Sequence, residues 1–134
     1  MLTKNRRGLE VLEAVATIPV MLLILAAIVN LGMAIYAQQA AQNAANYGAR
    51  MGSVAVACRS CAAYGAASES ISQSGVHNPG VQIMAPGGVV GSTLRVRVTG
   101  EMPNLMGPLM ALFGGGLEGP LKVSAEATFR AEGW

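Results

Sequence analysis

From Ala14 to Ala37 the chain carries no charged residue. A helix of that length rises ~36 Å, enough to cross a hydrocarbon core of ~30 Å. No other stretch of the 134 residues constrains the fold as strongly. If the run lies in a membrane, about a hundred residues remain for a soluble part, which buries little unless it is stapled or packed against partners. The sequence is 52% hydrophobic but only 4% aromatic, and much of the apolar count is alanine, so the core is shallow. Net charge is +2, and Lys4, Arg6 and Arg7 alone exceed it. The remainder is near neutral and offers no basic patch for nucleic acid.

The basic residues just before the run fix orientation by the positive-inside rule, with the N-terminus cytoplasmic and the rest exported. Three readings of the run follow. A secretory signal peptide has an apolar region of only ~7–15 residues and a small-residue cleavage site. Gly32-Met33-Ala34 offers such a site, but the run is too long and Glu13 stands near its start. A plain N-terminal membrane anchor is the second reading. The third is a type IV pilin-like leader cut after Gly8, before Leu9.

A short basic leader ending in Gly, an acid five residues on and then an unbroken apolar helix are an unusual combination. A carboxylate deep in a membrane segment costs about 2.5 kcal/mol or more on insertion scales, so Glu13 needs a function and a partner. Cleavage after Gly8 creates an α-ammonium on Leu9. That group is the natural partner of Glu13, from the same chain or from a neighbour in a filament. Glu10 reads as a solvated or headgroup-level charge.

Arg6-Arg7-Gly8, followed by Val11-Leu12-Glu13-Ala14-Val15-Ala16-Thr17-Ile18-Pro19, resembles the start of TadE-like pseudopilins of tight-adherence (Flp pilus) secretion systems. The family pattern has basic residues and Gly, then Val-Glu, then a Pro six residues after the Glu. Glu13 and Pro19 keep that spacing, while Ala14 stands where the family usually has an aromatic. The resemblance resumes at Tyr36-Ala37-Gln38-Gln39-Ala40 and Gly48-Ala49-Arg50, and returns weakly in Ala127-Thr128-Phe129-Arg130-Ala131-Glu132. Pro19 removes a helix backbone bond and predicts a kink, which membrane helices tolerate when neighbours satisfy the freed carbonyl.

Residues 37–57 continue the helix out of the membrane. Ala37, Ala40, Ala41, Ala44, Gly48, Met51 and Ala55 recur at helical spacing, with Gln38, Gln39, Gln42, Asn46 and Ser53 elsewhere on the wheel. A face of small residues lets another backbone approach closely. It packs on the chain's own sheet or on a neighbouring subunit, and the reading favours the first.

Cys58-Arg59-Ser60-Cys61 follows. In an exported segment the two cysteines meet an oxidising compartment, where they form a tight disulfide or stay as free thiols. A thioredoxin-like redox pair belongs near a βαβ pattern, which is missing, and a zinc site lacks further ligands. Residues 62–74 predict a second, weaker helix ended by Gly75. His77-Asn78-Pro79-Gly80 predicts a turn, with His77 exposed and inert.

The remainder reads as strands. Val81, Ile83 and Ala85 alternate with polar or exposed positions. So do Leu94, Val96 and Val98, and then Leu121, Val123, Ala125, Ala127 and Phe129. Between the last two strands, Leu105, Met106, Leu109, Met110, Leu112 and Phe113 predict a short apolar helix, too short to span a membrane. It covers the sheet, lies on the bilayer or meets a partner. Leu105, Leu109, Leu112 and Phe113 are its candidate contact patch. No nucleotide-binding Gly-rich loop, nucleophile–His–acid set or metal cluster is present, so neither catalytic residues, a cofactor nor an enzyme is expected.

The expected architecture is α+β. A leader (1–8) precedes a long helix (9–57, membrane-embedded to about residue 37) and a small extracytoplasmic head (58–134) with a second helix and a roughly three-stranded antiparallel sheet, type IV pilin-like. The resemblance implies a minor pseudopilin cut by a prepilin peptidase, held in the cell membrane by a single pass. It implies partners in other pilin-like subunits and a pilus assembly platform, and a place in or beneath a surface pilus. The alternatives are a major filament subunit, or an anchored or secreted binding domain without a filament role. No nucleic acid is expected as a partner.

Overall fold

The computed structural model describes residues 4–111, 114–116 and 119–132, with side chains from Glu10 onward apart from Leu109. The chain is α+β. In order it contains α1 (Lys4–Val54), α2 (Arg59–Ser72), β1 (His77–Pro86), β2 (Thr93–Met102), α3 (Met106–Ala111) and β3 (Leu121–Arg130). The strands form one antiparallel sheet in the order β1-β2-β3. Two compact units emerge: Met1–Gly32 with Asn104–Gly119, and Met33–Pro103 with Pro120–Trp134.

In the first unit, α1 runs unbroken through Pro19. Proline has no N–H to donate, so the Val15 carbonyl loses its intrahelical donor. Large apolar side chains point outward on every side of this segment: Leu12, Val15, Leu22, Ile24, Ile28 and Leu31 are all more than half exposed. A helix that is apolar all round is built for a non-aqueous surrounding. α3 belongs to this unit, and Asn104 joins it to α1 through hydrogen bonds described below.

The second unit is the head. Its core is made where α1, α2 and one face of the sheet meet. From α1 come Ala37, Ala41, Ala44, Ala45 and Ala49, all fully buried. Gly48 and Gly52 lie on the same face. A Cβ on Gly48 would fall 2.6 Å from the Ala67 Cβ and 2.7 Å from the Ala63 carbonyl oxygen, so here the two helices touch backbone to backbone. Met51 is exposed and Ala55 lies beyond the helix, so the buried face differs at its end from the spacing read in the sequence. The face drifts around the cylinder because 3.6 residues make a turn.

α2 starts where Cys58 caps it: the Cys58 sulfur accepts a hydrogen bond from the Cys61 amide at 3.2 Å. It ends at Gln73, followed by Gly75 in the left-handed region (φ +73°). Ala63, Ala67 and Ile71 form its buried face.

β2 is the central strand. Leu94, Val96 and Val98 are fully buried, and on β3 Ala127 and Ala125, opposite Val96 and Val98, and Val123, opposite Gly100, are nearly so. Burying each large side chain contributes roughly 1.5–3 kcal/mol, and four of them (Ile71, Leu94, Val96, Val98) are fully enclosed. Phe129 stands opposite Leu94 in the register and is 37% exposed, although Leu94 itself is fully buried. On the outer face Arg97 of β2 pairs with Glu126 of β3, a cross-strand ion pair between half-open side chains.

The turn expected at His77–Gly80 is not a turn. Those residues open β1, and the register slips by one residue between His77 and Gly80. The extra residue makes a bulge. Asn78 adopts φ 46° there, a conformation asparagine tolerates, and its amide donates to Glu101 Oε2 at 2.8 Å.

Candidate functional site

Gly8 and Leu9 lie within α1. One turn on, Glu13 faces outward, and among the described residues nothing pairs with its carboxylate. Its carbonyl accepts the Thr17 hydroxyl at 2.7 Å. The apolar run beyond it is long enough and apolar enough to cross a membrane, with a mean hydropathy of 2.5 over its best window and only 6% of that window buried. Among the described residues this is the one helix of that kind.

Asn30 is a polar residue of the apolar run that the sequence reading passed over. It stands in the apolar run, and both ends of its amide are used. Its Nδ2 donates to Asn104 Oδ1 at 2.9 Å, and its Oδ1 accepts the Leu105 amide at 3.1 Å. Asn104 Oδ1 also accepts the amides of Met106 (3.0 Å) and Gly107 (3.3 Å), the opening turn of α3. A lone amide among apolar side chains was the available signal, since such groups in a membrane helix require a partner.

At the other end of the run, the Tyr36 hydroxyl donates to the Ser74 carbonyl at 3.0 Å, fastening α1 to the end of α2. Gln38 and Gln42 reach the carbonyls of Ser124 and Glu126 on β3 at 3.0 and 3.3 Å. The polar positions of this part of α1 thus fix the helix to the sheet.

Cys58 and Cys61 are joined by a disulfide, with Cα atoms 5.3 Å apart. Arg59 between them is the more connected residue. Its guanidinium donates to the carbonyls of Gly87 (3.5 Å), Gly88 (3.2 Å) and Glu132 (3.2 Å). The Glu132 amide in turn bonds the Ser53 carbonyl at 3.0 Å. This short segment therefore clasps the end of α1, the loop after β1 and the residues after β3. The signal in the sequence was a cation between two cysteines, and nothing local says which carbonyls it finds.

Of the apolar patch, Leu105 is 46% exposed and lies just before α3. Leu109 falls within α3, whereas Leu112 and Phe113 lie outside the described residues. His77 is exposed at the start of β1. Among the described residues no three His, Cys, Asp or Glu side chains gather into a metal-binding group. The concavities are open surface dips lined by groups such as Tyr36, Gln39, Asn43 and Ser70.

Residues 8–50 match the family model described as TadE-like protein. Over those residues, about a third of the chain, it is similar to TadE-like proteins. No curated protein and no solved structure matches the chain. The TadE-like segment takes in Gly8, Glu13, Pro19, the whole apolar run and the small-residue face as far as Arg50. The disulfide, α3 and the sheet lie beyond it, as does the stretch Ala127–Glu132. A single long apolar helix near the N-terminus fits a single-pass membrane anchor.

Proposed function

We propose that the chain is a minor pseudopilin of a tight-adherence pilus system. It is made as a precursor, cut after Gly8 by a prepilin peptidase, and held in the membrane with its N-terminus cytoplasmic and its head outside. It then acts with other pilin-like subunits and the assembly platform to initiate or support the pilus. The observation that carries this reading is the division of one helix, α1, into two parts. Its first part is apolar on every side and carries an outward carboxylate without a described partner at Glu13. Its second part is a small-residue strut buried in an α+β head.

In this reading the carboxylate of Glu13 meets the new ammonium of Leu9, of its own chain or of a neighbour. Two opposite charges within ~4 Å attract by about 4 kcal/mol at an effective dielectric of 20, enough to offset placing the carboxylate at the membrane edge and to set register between helices. The exposed apolar side chains from Leu12 to Leu31 give neighbouring helices their packing surface.

N-terminal sequencing and intact mass of the membrane-extracted protein test the proposal. A start at Leu9 is the expected result. A start near Ile35 would identify a cleaved signal peptide and overturn the reading. An intact Met1 would leave a plain anchor and remove the partner assigned to Glu13.

A further inference from the structure

We propose that the first part of the connection between β2 and β3, residues 104–111, is a second membrane contact. It enters the leaflet at the C-terminal end of the apolar run and lies there beside α1. The proposal rests on α1 spanning the bilayer, as in the reading above.

The first observation is depth. The run Ala14–Ala37 is centred between Leu25 and Ala26. Asn30 lies about five residues from that centre, or ~7 Å along the axis, against a hydrocarbon half-thickness of ~15 Å. Its amide is therefore inside the apolar slab, where an unpartnered polar group is strongly unfavourable. The partners it has are Asn104 and the Leu105 amide, at 2.9 and 3.1 Å. Whatever depth Asn30 takes, residues 104 and 105 share it.

The second observation is the path of the chain. β2 and β3 pair in register up to Met102 and Leu121. The residues between them leave and re-enter the sheet at one point, as a loop free to reach out from it. The third is composition. From Pro103 to Pro120 the only charged residue is Glu118, and six bulky apolar side chains stand between Leu105 and Phe113. Leu105 is 46% exposed. A loop over water has no use for such a surface.

The fourth is the backbone. Irregular chain is tolerated at membrane depth only where its polar groups are satisfied. Here Asn104 Oδ1 receives the amides of Met106 and Gly107. Pro108 has no amide to satisfy. At the other end, the Gly114 amide bonds the Ala111 carbonyl at 3.2 Å and the Gly115 amide bonds Met110 at 2.9 Å. Among the described residues, amides at both ends of α3 find partners within the segment, as a lipid-facing stretch requires.

The test uses the full-length, oxidised protein in vesicles of phosphatidylcholine and phosphatidylglycerol. A nitrobenzoxadiazole label is placed through Leu105→Cys, with Val29→Cys in α1 and Val89→Cys in the head loop as references. Quenching is read with a doxyl group on the lipid acyl chain and with aqueous iodide. The expected result is that positions 105 and 29 are quenched several-fold more by the lipid doxyl than position 89, and less by iodide. Asn30→Leu is expected to lower doxyl quenching at 105 and leave 29 unchanged. If 29 is quenched by lipid while 105 answers to iodide, the loop is in water and this proposal fails by itself. If 29 is not quenched by lipid, the membrane reading of α1 fails first. If 105 is shielded from both quenchers, a second copy or another protein covers it and the lipid contact is overturned.

Discussion

Two glycine-to-alanine changes, one in each helix of the head, should shift stability in opposite directions. Ordinarily the substitution helps a helix interior by ~1 kcal/mol, because glycine loses more backbone entropy on folding. Gly65 in α2 has nothing within 4 Å of where its Cβ would go, so Gly65→Ala should stabilise the head by ~0.5–1 kcal/mol. Gly48 in α1 is the opposite case. Its Cβ would lie 2.6 Å from the Ala67 Cβ and 2.7 Å from the Ala63 carbonyl oxygen, and backbone cannot rotate away as a side chain can. The helices must separate by several tenths of an ångström. Contacts this short put the overpacking cost in the upper part of the ~1–3 kcal/mol range, so after the propensity gain Gly48→Ala should lose roughly 1–2 kcal/mol. The gap between the two variants is then about 1.5–3 kcal/mol, or roughly one to two decades in the unfolded fraction. Pulse proteolysis by trypsin in a urea series on the detergent-solubilised full chain reads it, since Arg95 and Arg97 sit in the central strand and become cleavable when the head opens. If both variants rise in urea midpoint together, α1 and α2 do not touch backbone to backbone and the packing argument is wrong.

Other outcomes follow from the same contacts. Glu13→Ala should leave cleavage after Gly8 intact, seen by N-terminal sequencing, while reducing assembled pili in sheared surface fractions; unchanged pilus yield would remove the role given to this carboxylate. Reducing the Cys58–Cys61 bond should lower stability by at most about 2 kcal/mol, because the loop it closes is very short. The double change Cys58→Ser with Cys61→Ala keeps an N-cap acceptor and should cost no more than reduction; a larger loss of urea midpoint would mean the bond does more than close that loop. Arg59→Met should destabilise by about 2–4 kcal/mol, since three carbonyls lose a charged donor. Faster amide exchange confined to residues 86–92 and 130–132 would mark that loss, and exchange unchanged there would contradict the clasp.

The parts of the fold that follow a period were legible in the sequence. The alternation Leu94, Val96, Val98 and that of Val123, Ala125, Ala127 place their residues on the buried face, as a period of two demands. The apolar run announces its helix by length alone. What escaped was whatever depends on a partner distant in sequence. Asn78 reads as a turn residue, and it does adopt a turn-like φ, but pairing with β2 turns the segment into a bulged strand. Local propensity could not see that Glu101 would be waiting across the register. Asn30 stood out as a lone amide in an apolar run, but its partner did not: Asn104 lies far along the chain. Glu13 differs from both, because the partner proposed for it is an ammonium that exists only after cleavage.

If α1 spans the bilayer as proposed, one continuous helix serves two surroundings without any break in its backbone. Up to Tyr36 its outward residues are mostly Leu, Ile, Val and Met, with large areas exposed. From Ala37 the buried positions are Ala, Gly and Ser only. Lipid tails and neighbouring helices accept bulky side chains at any angle, since neither has a fixed shape to match. A sheet and a second helix close by do have one, and they approach α1 too closely for anything larger than a methyl group. Exchanging the two halves would therefore fail at both ends. Bulky residues after Ala37 would lift α2 off α1, as the Gly48 geometry already implies for a single methyl. Alanine throughout the first half would leave a helix that crosses the bilayer with too little surface for its neighbours to grip. In the proposed reading, the switch in side-chain size at Ala37, rather than any change in helical propensity, is what suits the first part of α1 to lipid and the second to the head.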